Sequence, residues 1–338
     1  MSTLQSSSCS SAILEHLEEN GPHQECKDVC ISSLPKEKSQ LSLYDGYWIP
    51  TWSMPGVLAF QKYFQARETD ILLVTPPKAG TTWFKAILFA LVNRMRYLDL
   101  QEHPLLTNIS HALVPLLDVD IYNKKKVPDL NSFASPRLFA THLPFDLLPT
   151  SVKGSSCKIV YVCRNPKDNF VSLWHFMNRV YSTTNSLEED FDKFCRGVSL
   201  YGPYWDHVLS YWKPIIEKQA QKILFLKYEE MKEQPTTHLK RIAEFLECPF
   251  SPEEDAKGTI NDILQLCSFD NLSNLDVNKS GKWRFPEHNN TLFRQGIDHA
   301  SFFRKGNSGD WVNYFTPQMT ERLDHIIEEK FHGTGLKF

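Results

Sequence analysis

The stretch ILLVTPPKAGTTWFKAIL, residues 71–88, decides how this chain folds. Residues 71–74 are apolar and partly β-branched, which predicts a buried strand. Pro76 and Pro77 end it, because proline cannot donate to a sheet ladder. From Thr81 the bulky apolar groups Trp83, Ile87 and Leu88 recur at helical spacing, which predicts a helix. Between strand and helix stand Lys78, Ala79, Gly80, Thr81 and Thr82. Unpaired N–H groups at a helix start, together with the helix dipole, favour an anion. A lysine adds charge there, and two hydroxyls add donors. The stretch reads as a phosphate cradle. It is not a Walker A loop, in which glycine comes first and Lys-Ser/Thr last; here Lys78 precedes Gly80. Taken alone, the same residues also suit an ordinary strand–helix turn, where glycine and hydroxyls are common.

Outward from this stretch, strands and helices alternate. Residues 137–141 and 223–226 read as strands, and CKIVYVC at 157–163 is the clearest of all. Asn165 before Pro166 reads as a helix cap with proline in the first turn, opening a helix to about residue 180. Residues 54–66, 187–196, 204–216, 230–246 and 252–266 carry helical patterns. A closing helix over 316–331 has Thr316 as cap and Pro317 at its first position. Residues 98–128, with the basic run 124–126, and the Asn/Gly-rich 274–299 read as irregular. The basic run is a solvated surface or part of a cover over a site. Alternation of this kind predicts the α/β class: a single P-loop-like domain, mostly parallel sheet with helices on both faces. Residues 1–42, rich in Ser, Glu and Lys, are expected to be a loosely ordered tail. The domain is expected over 43–338, with 43–52 as a segment packed on it.

With 338 residues, 41% hydrophobic, the chain can bury a large core. The net charge of -3 gives no basic excess for a nucleic-acid partner. No apolar run reaches membrane-spanning length, and the first residues lack the pattern of a signal peptide. Neither a membrane nor a nucleic-acid partner is expected. Eight cysteines are scattered without the spacing of a disulfide framework. His23, Cys26 and Cys30 are too few for a closed metal site, so free thiols and a cytoplasmic location are expected.

In open parallel sheets, ligands bind beyond the carboxyl ends of the strands. Four strand ends deliver chemistry here: Lys78 to Trp83, then His142, Arg164 and Tyr228. Each alone has a plainer role. A histidine after a strand is often a hydrogen-bonded structural residue, an exposed arginine often contributes little, and a tyrosine often packs. Together they form a set that the fold brings to one edge. A kinase of the P-loop type holds Mg²⁺ with a strand-end Asp; Arg164 stands at the natural place for it. The site is expected to be rich in cations and to bind no metal.

The chain resembles the soluble (cytosolic) sulfotransferases, plant type, which act on flavonols, steroids, hydroxyjasmonate and desulfoglucosinolates. The resemblance runs from about residue 43 to the end. It rests on PPKAGTTW (76–83), ATHLPFDLLP (140–149), YVCRNPKDNFVSLWHF (161–176), LFLKYEEM (224–231), CSF (267–269) and FRKGNSGDW (303–311). It implies 3′-phosphoadenosine 5′-phosphosulfate (PAPS) as sulfuryl donor and a small hydroxylated metabolite as acceptor. By the resemblance, Lys78, Ala79, Gly80, Thr81 and Thr82 cradle the 5′-phosphosulfate. Trp83 stacks on adenine, with Tyr228, Cys267 and Phe269 near the base. Arg164, Ser172, Arg304, Lys305 and Gly306 take the 3′-phosphate; a guanidinium suits this because it engages two oxygens at once. His142 is the expected general base, its ordinary pKa of about 6.5 lying near working pH. Lys78 is expected to stabilise the leaving phosphate, with Ser172 holding Lys78 aside until an acceptor is bound. For the acceptor pocket, Phe145, Trp174, His175, Phe176, Tyr201 and Trp205 are candidate aromatic groups, each equally suited to core packing.

The chain departs from the family pattern in three places. The family loop has a Ser or Thr where Ala79 stands, so one hydroxyl toward the phosphosulfate is lost, at a cost of roughly 0.5–1.5 kcal/mol. Many animal members carry a lysine at the place of Ala140. The animal dimer motif is broken across VNYFTPQMTE (312–321), so a monomer is expected. Two other readings compete: a catalytically weakened PAPS- or PAP-binding protein, suggested by Ala79 and Ala140, and a P-loop metabolite kinase, which the missing strand-end Asp disfavours.

Overall fold

Four short apolar runs pair side by side into a parallel sheet. A computed structural model of the chain describes residues 31–37, 40–124, 128–181, 184–217, 221–284 and 296–338. Ahead of the sheet, β1 (Lys36–Glu37), β2 (Leu41–Tyr44) and β3 (Tyr47–Pro50) run antiparallel. The central strands are β4 (Ile71–Val74), β5 (Leu138–Thr141), β6 (Lys158–Cys163) and β7 (Ile223–Lys227), in the spatial order β5-β4-β6-β7. The chain steps from β4 to one side, then crosses back to the other. That makes β4 the switch point, the place where an open α/β sheet leaves a crevice.

The side-chain alternation of each strand splits the core in two. Leu72, Val74, Phe139, Ile159, Tyr161, Cys163 and Phe225 join one apolar cluster. Ile71, Leu73, Leu138, Ala140, Val160, Val162, Leu224 and Leu226 join the other. Successive side chains of a strand point to opposite faces, and here both faces are covered by helices. The α1 helix (Met54–Tyr63) packs on the first face, and α2 (Thr81–Asn93) on the second. The α3 helix (Pro166–Tyr181) starts directly after β6, with Asn165 Oδ1 accepting from Lys167 N at 3.0 Å. The α4 helix (Tyr204–Ile216) and the closing α5 helix (Pro317–Phe331) complete the first face. Thr316 Oγ1 caps α5 by accepting from Met319 N at 3.2 Å.

Several expected elements come out differently, for local reasons. Residues 43–50 belong to a hairpin, followed by a 3-10 turn at Thr51–Ser53: Asp45 and Gly46 turn at φ 48° and 84° between paired Tyr44 and Tyr47. An Asp-Gly pair is the favoured two-residue hairpin turn, since both positions need positive φ. The helix expected over 230–246 breaks at Gln234, because Pro235 disfavours helical geometry in the residue before it; the pieces are Tyr228–Glu233 and Pro235–Phe245. The helix over 252–266 breaks at Gly258, which takes φ 79°. Residues 274–299 hold a short helix, Asp276–Lys279, and the strand pair β8 (Lys282–Trp283) and β9 (Ile297–Asp298). The basic run lies outside the described residues at 125 and 126, as do His23, Cys26 and Cys30. Cys157, Cys163, Cys195, Cys248 and Cys267 are free thiols. Among the described residues no helix is long and apolar enough to cross a membrane.

Candidate functional site

The carboxyl ends of the four central strands open into a cavity of about 370 Å³. Its wall includes Lys78, Gly80, Thr81, Thr82 and Trp83 from the loop after β4, His142 after β5, Arg164 after β6 and Tyr228 after β7. Ser172 comes from α3, and Arg304, Lys305 and Gly306 come from the segment before α5. Residues up to 228 positions apart in sequence meet because parallel strands end on the same edge.

The loop is shaped by two positive-φ residues, Lys78 at 69° and Gly80 at 101°. Gly80 must be glycine: a Cβ there would stand 2.7 Å from the Tyr228 ring. The first intrahelical bond of α2 runs from Phe84 N to Gly80 O at 3.0 Å. The N–H groups of Thr81, Thr82 and Trp83 therefore precede the ladder, as at any helix start. Ala79 behaves otherwise than expected. Its side chain is fully buried, it is absent from the cavity wall, and its N–H is used within the turn by Pro76 O. The Ala79 methyl group thus lies buried and off the cavity wall.

Lys78 is poised against its own charge. Its Nζ sits 4.1 Å from the Phe176 ring centroid, a cation–π arrangement. Burial, then the nearby Arg164 and Arg304 guanidiniums, pull its pKa down to about 7. Among the described residues no hydrogen bond joins it to Ser172. An anion would relieve this crowding. Arg164 and Arg304 tell the same story: the Nε of each is buried and lacks a hydrogen-bond partner among the described residues. Unsatisfied buried guanidinium donors are costly, and a phosphate oxygen satisfies them. Asp310 holds Arg304 at 2.5 Å and Lys305 at 2.8 Å, which orients the pair from behind. Arg164 Nη2 donates to Asn307 O at 2.6 Å, tying β6 to the same segment.

Aromatic groups form a platform beside these cations. Trp83 meets Tyr228 edge to face at 5.5 Å. Tyr228 OH donates to Gly306 O at 2.9 Å. Phe269 lies against Gly306, where φ is 65° and any Cβ would collide with its ring. Cys267 is buried and does not line the cavity; its neighbours Ser268 and Phe269 do.

His142 is held by β4. Its Nδ1 lies 2.8 Å from the carbonyl oxygen of Thr75. A carbonyl only accepts, so Nδ1 carries the proton and Nε2 is left with its lone pair. Burial drives the pKa down to about 3, so the ring is neutral at pH 7. His207 Nε2 donates to His142 O at 2.9 Å and fixes the backbone from the other side.

Of the aromatic candidates for an acceptor pocket, Phe176 and Tyr201 line the cavity. Phe145, Trp174, His175 and Trp205 do not. Phe145 packs on Tyr211 at 5.5 Å, and Trp174 Nε1 donates to Asn185 O at 3.0 Å. The reason is helical geometry: at about 100° per residue, the face of α3 that carries Ser172 and Phe176 turns Trp174 and His175 away. Three wall-side residues were missed from the sequence. His111 lines the cavity, and Lys85 and Asp118 are fully buried next to it. No motif marks them. The only signals were a lysine amid the apolar pattern of α2 and an acid between apolar groups at 116–121.

A sulfotransferase domain family matches residues 68–335. Cytosolic sulfotransferase 5 of Arabidopsis thaliana is 46% identical over 317 residues, covering 91% of this chain and 95% of that protein. Cytosolic sulfotransferase 8 of the same plant is 47% identical over 314 residues, covering 91% of each. Among solved structures, an Arabidopsis thaliana sulphotransferase superposes with a TM-score of 0.71 at 41% identity, covering 92% of this chain and 94% of its own. A mouse sulfotransferase complexed with PAP gives 0.64 at 30% identity, covering 87% and 95%.

Proposed function

The chain belongs to the sulfotransferases, and from that premise we propose that it moves a sulfuryl group from PAPS to a hydroxyl of a small ring-bearing plant metabolite. The observation that carries this reading is the pairing, in one cavity, of a free His142 lone pair with buried guanidinium donors that lack partners. An anion-binding half and a proton-accepting half are what transfer from a phosphorylated donor to a hydroxyl requires.

The donor supplies the sulfuryl group, which passes in line to the acceptor oxygen as PAP leaves. The chain's own residues do the rest. His142 Nε2 accepts the acceptor's hydroxyl proton, and its Nδ1–H to Thr75 O holds the ring and favours the imidazolium that forms. Lys78 gives its charge to the phosphate as negative charge builds there. The N–H groups at the start of α2, with Thr81 and Thr82, hold the 5′ end. Arg164 and Arg304 take the 3′-phosphate through their Nε groups, with Ser172, Lys305 and Gly306 beside them. Trp83, Tyr228 and Phe269 bracket the base. Phe176, Tyr201 and other apolar groups offer the acceptor a mainly aromatic wall, which suits a flat phenolic or a steroid. The chain acts as a monomer in the cytosol, where its similar relatives are named.

Labelled PAPS offered with a panel of flavonols, brassinosteroids, hydroxyjasmonate, simple phenolics and desulfoglucosinolates tests the reading. Transfer to at least one acceptor is expected. PAP binding with no transfer to any of them would instead mark a binding protein, and no PAP binding would sink both.

A further inference from the structure

Lys85 is fully buried in α2, one helical turn from the loop, and no carboxylate of the described residues lies within ion-pair distance of it. Its Nζ sits 3.1 Å from Nδ1 of His111. His111 Nε2 in turn sits 3.1 Å from Thr82 Oγ1, and both His111 and Thr82 face the cavity. We infer that Lys85 and His111 form a one-way hydrogen-bond chain that ends on Thr82 and turns the threonine proton into the cavity, toward the 5′ anionic end of the donor. The inference rests on reading the cavity as the donor site.

The direction follows from the donor inventory. An ammonium carries donors only, so Nδ1 of His111 must accept. A neutral imidazole that accepts at Nδ1 bears its proton at Nε2. That proton goes to Thr82 Oγ1, which accepts. The single hydroxyl hydrogen of Thr82 is then spent elsewhere, and its side chain has no second partner among the described residues. The open direction is the cavity. Each donor in such a row polarises the next, more strongly in a buried setting.

The surroundings keep the row in this state. Groups facing Lys85 are His111 from the segment after α2, Asp118 and Asp120 from residues 117–121, and His142 after β5. Burial lowers the Lys85 pKa to about 8, while Asp120 and Asp118 pull the other way and favour the ammonium. Burial, and then Lys85 itself, hold His111 well below the usual histidine range, so it stays neutral. The ring is also pinned between Trp283 and Phe302, at 5.1 Å and 4.4 Å. Ser110 Oγ donates to Thr82 O at 3.0 Å and fastens the His111 segment to α2. Lys85 and His111 are thus positioning residues acting through Thr82.

The tautomer is directly measurable. Nitrogen-15 NMR of the wild-type imidazoles is expected to show His111 protonated at Nε2 and bare at Nδ1; the opposite assignment overturns the proposal without any variant. In calorimetry with PAP, Lys85→Met and Thr82→Val are each expected to weaken binding roughly tenfold, and Thr82→Ser to keep most of it. The double variant is expected to bind no more weakly than Thr82→Val, since both changes cut one chain. Independent, additive losses would overturn the chain while leaving the donor site intact. Failure of the wild-type protein to bind PAP would overturn the donor site itself, and with it the proposal.

Discussion

Two histidines face the same cavity and carry opposite protons. His142 touches a carbonyl, Thr75 O, which only accepts; His111 touches an ammonium, Lys85 Nζ, which only donates. The first ring therefore keeps its Nδ1 proton and leaves a bare Nε2. The second has a bare Nδ1 and a protonated Nε2. Both are neutral, because burial lowers each pKa. Under the roles proposed above, one residue type supplies a base on one wall and, through Thr82, a donor on the other. The partner at the far nitrogen decides which.

The contrast can be broken most severely at the base. His142→Ala is expected to lower turnover about 10²–10⁴-fold while PAP still binds, which steady-state assay and calorimetry together would show. Near-normal turnover with intact binding would rule His142 out as the base.

The pH profile separates the two walls next. His142, pushed down to about 3, is in its proton-accepting form at every pH above that, so kcat/KM for the donor should not fall between pH 7 and pH 5. Lys78, pulled down to about 7, is charged below that pH and loses its charge above it. The profile should therefore fall on the basic side, by up to about tenfold per pH unit once titration is complete. A fall on the acidic side near the usual histidine pKa would contradict the burial of His142.

His111→Ala comes third. It cuts the row to Thr82 and leaves Lys85 buried without its partner, so a loss of about 1–3 kcal/mol in unfolding stability is expected from denaturant titration. PAP affinity should drop with it by roughly tenfold. Unchanged stability and affinity would make His111 a bystander and erase the comparison.

The smallest effect is expected at Ala79→Ser. The side chain is buried and does not line the cavity. PAP affinity should stay within a few-fold, and any cost should appear as stability, at about 1–3 kcal/mol if the hydroxyl finds no partner. A marked gain in PAP affinity would return Ala79 to the donor contacts.

Much of the fold was legible in the sequence. β4, β6 and β7 are continuous apolar runs, as strands buried on both faces must be, and Pro76, Asn165 and Pro166 mark where two of them stop. Element ends were less legible. Pro235 and Gly258 each cut a helical pattern that the apolar spacing carried straight through. The hairpin at Asp45 and Gly46 was written in an Asp-Gly pair but hidden among aromatics. In the site, residues within the strand-end motifs stood out because their chemistry is unusual for a turn. Lys85, His111 and Asp118 did not, since a lone buried charge looks like any surface residue until its surroundings are known.

The sequence by itself determined the strand–loop–helix at 71–88, the caps and the two-faced strands, because these depend on neighbours a few positions away. Tertiary structure decided which side of α3 meets the cavity, that Ala79 lies buried off the cavity wall, and which nitrogen of each histidine holds the proton. Those outcomes hang on partners far along the chain, such as Thr75 for His142 and Lys85 for His111. A proton's position is set by whichever donor or acceptor the fold places opposite it, and no local pattern encodes that.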